Sequence, residues 1–280
     1  MQEQLSDGPG GRIAPSSEDD TTRDVDAPEP GDEASDRGRQ RRRRRSRRTD
    51  WRLGGTAVRT WDGTLLATAF ISLGVGVVAS TMVGALWRSP WSALVSLAVL
   101  WVGMLVPVVV AFRRGRPAGL LRFRPVDLLY GLVLGVALRL VEGWASGAAS
   151  KPLPSVATLD GALSPTWLFT DALPAAVFAP AIEEFFFRAV VLIAVFSILR
   201  RAAGTFAAAL AAVLVSTATF ILLHGVDGSL PLSEAIPLGV VGIVTALLVV
   251  LTGRIWGALL VHAVYNALMI ALIAAGTLLR

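Results

Sequence analysis

The stretch SPWSALVSLAVLWVGMLVPVVVAF, Ser89 to Phe112, runs from Arg88 to Arg113 without one charged side chain. A helix crosses roughly 30 Å of hydrocarbon with about 20 apolar residues, and in lipid only a helix or a closed barrel satisfies its own backbone. The stretch therefore predicts a transmembrane helix. Similar runs recur on either side, at Gly63 to Trp87, about Val126 to Ser150, about Ala172 to Leu199, about Ala202 to His224, about Ala235 to Gly253, and Ile255 to Leu279. The expected fold class is all-α, a polytopic transmembrane helical bundle of about seven spans. A composition 54% hydrophobic and 17% charged, with a mean hydropathy of +0.61, excludes an ordinary soluble domain of 280 residues. With no cysteine, disulfides, thiolate metal sites, a cysteine nucleophile and lipidation on sulfur are excluded as well.

The charge is unevenly placed. Residues 1–36 hold eleven acids against two arginines, whereas Arg37 to Arg52 hold ten arginines against one acid. Residues 1–50 have almost nothing to bury and read as a disordered tail. Its basic run, next to a hydrophobic body, fits anionic lipid headgroups better than nucleic acid, and no nucleic-acid partner is expected. Arginines also crowd alternate loops, at Arg113 to Arg124, Arg200, Arg201 and Arg254, while the opposite loops have only Arg88, Lys151 and Arg280. The positive-inside rule then places the protein in the cell membrane as a multi-pass chain with its amino terminus in the cytoplasm.

Ionisable groups inside a span are costly, so those that interrupt the apolar runs are the informative ones. In Glu183-Glu184-Phe185-Phe186-Phe187-Arg188 the i,i+4 spacing puts Glu184 and Arg188 on one face, able to neutralise each other. Glu183 is left without a local partner and must point at another helix, a cavity or water. In Phe220-Ile221-Leu222-Leu223-His224 a histidine ends an apolar run, and in His262-Ala263-Val264-Tyr265-Asn266 a histidine and an asparagine share a face. Arg139 and Glu142, three apart, read as a structural or chamber-lining pair. Two chemistries fit these residue types. Glu183, assisted by His224, deprotonates a water while His262 and Asn266 donate to an oxyanion; or Glu183, His224 and His262 ligate zinc. No HExxH is present to favour the metal.

The three motifs, EExxxR, FxxxH and HxxxN in that order, resemble the CPBP (Abi) intramembrane proteases, which include the CAAX prenyl endopeptidases. Thr252 to His262 is similar to that family's usual lead into its last motif. The resemblance covers about residues 170 to 275. It implies a catalytic core over 170–275 behind N-terminal transmembrane helices over 60–165. It implies Glu183 as the water-activating base with His224, His262 and Asn266 as the oxyanion pair, and Glu184, Arg188 and Phe220 as supports. It favours the metal-free mechanism, with no cofactor. The expected function is an intramembrane endopeptidase acting on a membrane protein or on a lipidated or leader peptide. A non-catalytic membrane scaffold that keeps the family fold is the alternative.

Overall fold

The computed structural model describes residues 35, 37–40, 50–53, 56–156, 162–226, 228 and 230–279. The charged segment 1–50, expected to be disordered, lies almost wholly outside the described residues. Contacts divide the chain into units 1–43 and 44–280, and everything that follows concerns the second. Among the described residues, six helices are long and apolar enough to cross a membrane: α1 (Gly63–Leu86), α2 (Ser92–Arg114), α3 (Pro125–Ala145), α4 (Leu168–His224), α5 (Leu232–Thr252) and α6 (Trp256–Leu278). There is no β-strand among the described residues. Ile71, Val102, Leu132, Leu214 and Leu251 are exposed, so the helices turn apolar side chains outward, as contact with lipid requires.

Where the sequence predicts separate fourth and fifth spans divided at Arg200 and Arg201, the structure has one helical stretch of 57 residues. The helix runs through both arginines and breaks only at Gly204, whose φ of 79° suits glycine. The chain there folds back on itself, because Ser216 Oγ donates to Phe187 O at 3.0 Å and the Phe187 and Phe220 rings meet edge to face at 5.4 Å. α4 is thus a hairpin of two arms, 168–203 and 205–224, which together supply the two expected crossings. The third span is shorter than the predicted 126–150. Its helix stops at Ala145, and Gly147 enters the left-handed region with φ 67°.

Close approaches of backbone set the packing. Pro107, inside α2, lacks an N–H and cannot bond Gly103 O, four residues back. Ser72 Oγ of α1 donates to that carbonyl instead, at 2.7 Å, and a Cβ on Gly103 would lie 2.8 Å from Gly76 Cα. Glycine at both positions lets α1 and α2 touch.

α3 holds α6 along its length. At one end Arg254 donates to both oxygens of the buried Asp127 at 2.7 to 3.2 Å, which raises the guanidinium pKa above its ordinary value. Ile255 N–H donates to Leu120 O at 2.9 Å and the Trp256 indole to Leu121 O at 2.8 Å. In the middle, a Cβ added to Gly131 would fall 2.5 Å from Leu260 Cβ, and one on Gly135 would fall 2.8 Å from Val264 Cβ. Further along, the Arg139 guanidinium lies 3.7 Å from the Tyr265 ring centroid and donates to Tyr265 O. Glu142 pairs with Arg139 and accepts the Tyr265 hydroxyl at 2.7 Å. The Arg139 and Glu142 pair therefore serves as a joint between α3 and α6.

One end of the bundle collects the arginines. The Trp51 indole donates to Gly253 O and Arg52 to Leu251 O, Thr60 bonds Arg114 O, and one cavity is lined by Arg52, Arg122, Arg124 and Arg254. The Gly131→Ala substitution is expected to lower stability by about 1–3 kcal/mol through overpacking against Leu260. Gly74→Ala, where the added methyl meets nothing within 4 Å, should leave it unchanged or slightly raised. Thermal unfolding of the two variants in detergent checks both.

Candidate active site

The first arm of α4 carries Glu183, Glu184 and Arg188. Pro174 and Pro180 delete two rungs of its ladder, and widened π-type turns occur at Leu168–Ala172, Pro174–Phe178 and Phe185–Val191. The last of these starts directly after the two glutamates, with Leu192 N–H reaching back to Phe187 O. Such turns are rare and concentrate at functional sites.

Glu184 and Arg188, expected to pair, do so: Arg188 Nη1 lies 3.4 Å from Glu184 Oε1, and both side chains are fully buried. The pair is braced from α5 and from the second arm of α4. Arg188 Nη2 donates to Thr245 Oγ1 at 2.7 Å and to Gly242 O at 3.4 Å, and its guanidinium faces the Phe220 ring at 4.6 Å. The aromatic face gives this buried cation a favourable contact, while Arg188 Nε and Nη1 and Glu184 Oε2 have no hydrogen-bond partner among the described residues. A Cβ at position 242 would meet Thr217 Cγ2 at 2.9 Å, so glycine permits α5 to come this close.

His262, in the second turn of α6, meets both glutamates. Its Nδ1 lies 3.0 Å from Glu184 Oε1, and its Nε2 is 3.8 Å from Glu183 Oε2. A carboxylate can only accept, so Nδ1 carries the proton and Nε2 is turned toward Glu183. The two carboxylates thus have different surroundings. Glu184 binds Arg188 and His262 with 0% side-chain exposure; Glu183 keeps 13% and has no hydrogen bond among the described residues. Glu183 points at another helix, as its lack of a local partner required. The 3.8 Å gap to Nε2 is too long for a direct hydrogen bond and suits a bridging water.

The other residues singled out in the sequence sit around this centre. Phe220 is fully buried, and the imidazoles of His224 and His262 both rest against its ring, at 4.6 and 5.6 Å between centroids. His224 is the last residue of α4. Its Nδ1 donates to Phe220 O at 2.9 Å, which leaves Nε2 without a proton in the neutral ring. No hydrogen bond joins His224 to Glu183. A histidine at the end of a span would ordinarily sit far from a mid-membrane site. The hairpin register removes that conflict, since the contacts of Phe220 with Phe187 and His262 bring the end of α4 level with the second turn of α6. Asn266, one turn beyond His262, donates to Ala175 O at 3.0 Å and ties α6 to the first arm. Among the described residues no three His, Asp or Glu side chains converge closely enough to hold a metal ion, so the proposed zinc ligands Glu183, His224 and His262 do not form a ready donor set.

Thr245, Gly242 and Ala175 also contribute and were not singled out in the sequence. Thr245 was findable as the hydroxyl inside the apolar run of α5, away from Ser233 and Thr252 at its ends. Gly242 and Ala175 act through backbone carbonyls, for which the sequence has no signal.

Residues 165–268 match the family model described as type II CAAX prenyl endopeptidase Rce1-like. That range contains Glu183, Glu184, Arg188, Phe220, His224, His262 and Asn266. No curated protein and no solved structure matches the chain. Residues 165–268 thus carry an Rce1-like domain, consistent with the CPBP/CAAX protease family, on a helical multi-pass membrane protein. The general class is a membrane endopeptidase.

The different surroundings of the two glutamates separate their effects on stability. Glu184→Gln leaves Arg188 buried without its counter-charge and is expected to cost about 3–5 kcal/mol. Glu183→Gln should stay within about 1 kcal/mol of wild type. Denaturant unfolding of both variants in micelles measures the difference.

Proposed function

We propose that this protein is an intramembrane endopeptidase that hydrolyses a peptide bond of a membrane-embedded or membrane-associated substrate with water activated by Glu183. The observation that carries this reading is the convergence of Glu183 Oε2 and His262 Nε2 at 3.8 Å, with Glu184 engaged from the other side of the imidazole. Glu183 takes a proton from the water as the hydroxide attacks the scissile carbonyl, and later gives it to the leaving amine. His262, held by Glu184, donates from Nε2 to the developing oxyanion when protonated, with Asn266 one turn further along the same helix. His224, whose Nε2 is not used by the hydrogen bond to Phe220 O, assists at the water. These residues act without a bound metal, and no cofactor enters the scheme.

The surroundings support substrate entry from the bilayer. A largely apolar cavity of about 470 Å³ opens between α2, the first arm of α4 and α6, lined by Leu94, Trp167, Ala175, Ala179 and Ile273. Ala179 is one turn before Glu183, and Ala175 accepts the hydrogen bond from Asn266. A membrane-embedded segment or the lipid-modified or leader portion of a peptide has the matching surface. The arginine-lined end faces the cytoplasm of the cell membrane in this reading, which places the amino terminus there. Anionic lipid headgroups are the partners of the arginine-rich sequence 37–52 in this reading.

The test compares peptide termini in membranes of cells lacking the protein and complemented with wild type or Glu183→Gln. New termini should appear with wild type and fall by about 10²–10⁴-fold with the variant. They should persist when chelators are added. Identical termini, with the variant folded and still restoring any phenotype, favour the membrane scaffold, and loss of cleavage on chelation overturns the metal-free route.

A further inference from the structure

A third cavity lies away from the glutamates, at the arginine-rich end, where the 3₁₀ turns Trp51–Leu53 and Thr56–Val58 pack on the bend of the α4 hairpin. Its volume is about 340 Å³, and Trp51, Phe196, Ser197, Arg59, Arg200 and Arg201 are among the residues that line it. The Trp51 and Phe196 rings meet edge to face at 5.4 Å and form an apolar wall. Three arginine side chains line the cavity, and among the described residues no acidic side chain does. None of Arg59, Arg200 and Arg201 has a hydrogen bond or ion pair among the described residues. Like charges gathered in one cleft repel and are stable together only where a counter-charge or water satisfies them.

From this geometry we infer that the cavity is a binding site for a phosphate-bearing anion, supplied by the headgroup of an anionic phospholipid or by free phosphate. Guanidiniums match phosphate oxygens in forked geometry. Basic pockets between transmembrane helices at the cytoplasmic face are places where anionic headgroups bind. The Trp51 and Phe196 wall suits the glycerol and first acyl carbons of a lipid more than a fully hydrated ion. The site reaches α6 through one residue, since the Trp51 indole also donates to Gly253 O, three residues before α6 begins. This inference rests on the location in a membrane and not on the peptidase reading, and its failure leaves that reading intact.

The experiment titrates the full-length protein in neutral detergent with dihexanoyl phosphatidylglycerol, dihexanoyl phosphatidylcholine and inorganic phosphate, and follows binding by calorimetry. Phosphatidylglycerol should bind at least tenfold more tightly than phosphatidylcholine, with affinity falling as salt is raised. Arg200→Gln and Arg201→Gln should each weaken it several-fold, and the triple change with Arg59→Gln at least tenfold. Arg122→Gln, an arginine at the same end but outside this cavity, should leave it unchanged. Tighter binding of the lipid than of inorganic phosphate identifies a headgroup site, and equal binding of the two identifies a phosphate site. Affinity of the triple variant within twofold of wild type, or equal binding of phosphatidylcholine, overturns the inference. Arg201→Gln alone keeps the test open if the triple variant misfolds, because Arg201 is exposed and has no partner to lose.

Discussion

A carboxylate and a guanidinium with no access to solvent stand at the centre of this bundle, and the rest of the site depends on that pair. Neither charge of Glu184 and Arg188 is tolerable alone in such surroundings, where an unpaired ion costs several kcal/mol. Together they cancel, and their remaining capacity is directed outward in fixed directions. Arg188 takes Thr245 Oγ1 and the Gly242 carbonyl from α5 and the Phe220 face from the second arm of α4. Glu184 takes His262 from α6. One ion pair thus ties three further segments to the first arm of α4 and sets the orientation of an imidazole.

That arrangement gives two adjacent glutamates different work. Glu184 holds structure together, and Glu183, next along the helix, keeps partial access and faces Nε2 of the histidine that Glu184 orients. An imidazole fixed through one nitrogen presents the other predictably, the same logic by which supporting carboxylates tune histidines elsewhere. The frame around it is rigid for reasons independent of the site. α3 grips α6 through a buried ion pair, two glycines that admit backbone contact, and the joint of Arg139, Glu142 and Tyr265. Tyr265 lies between His262 and Asn266 in sequence, so the grip acts on the turn that carries the proposed oxyanion pair.

Much of this was legible in the sequence, and the limits have physical causes. The charge-free runs of α1, α2, α5 and α6 are long enough that hydrocarbon thickness alone identifies them. The pairing of Glu184 with Arg188 follows from helical spacing, as does the absence of a local partner for Glu183. The α4 hairpin was not legible as one stretch, because Arg200 and Arg201 look like a loop, yet the helix passes through them and turns at Gly204. The level of His224 was not legible, because position along a helix does not show the offset that the Phe187, Phe220 and His262 contacts impose. Tertiary partners such as His262 with Glu184, or Tyr265 with Glu142, have no periodicity to reveal them.

The most direct test of the central pair is a double-mutant cycle on unfolding free energy in micelles, with Glu184→Gln, Arg188→Gln and both together. If the two groups stabilise each other as buried ions, the double variant loses much less than the sum of the singles, with a coupling of about 1–3 kcal/mol. Additivity within about 0.5 kcal/mol would show that the pair is not the interaction on which the site depends.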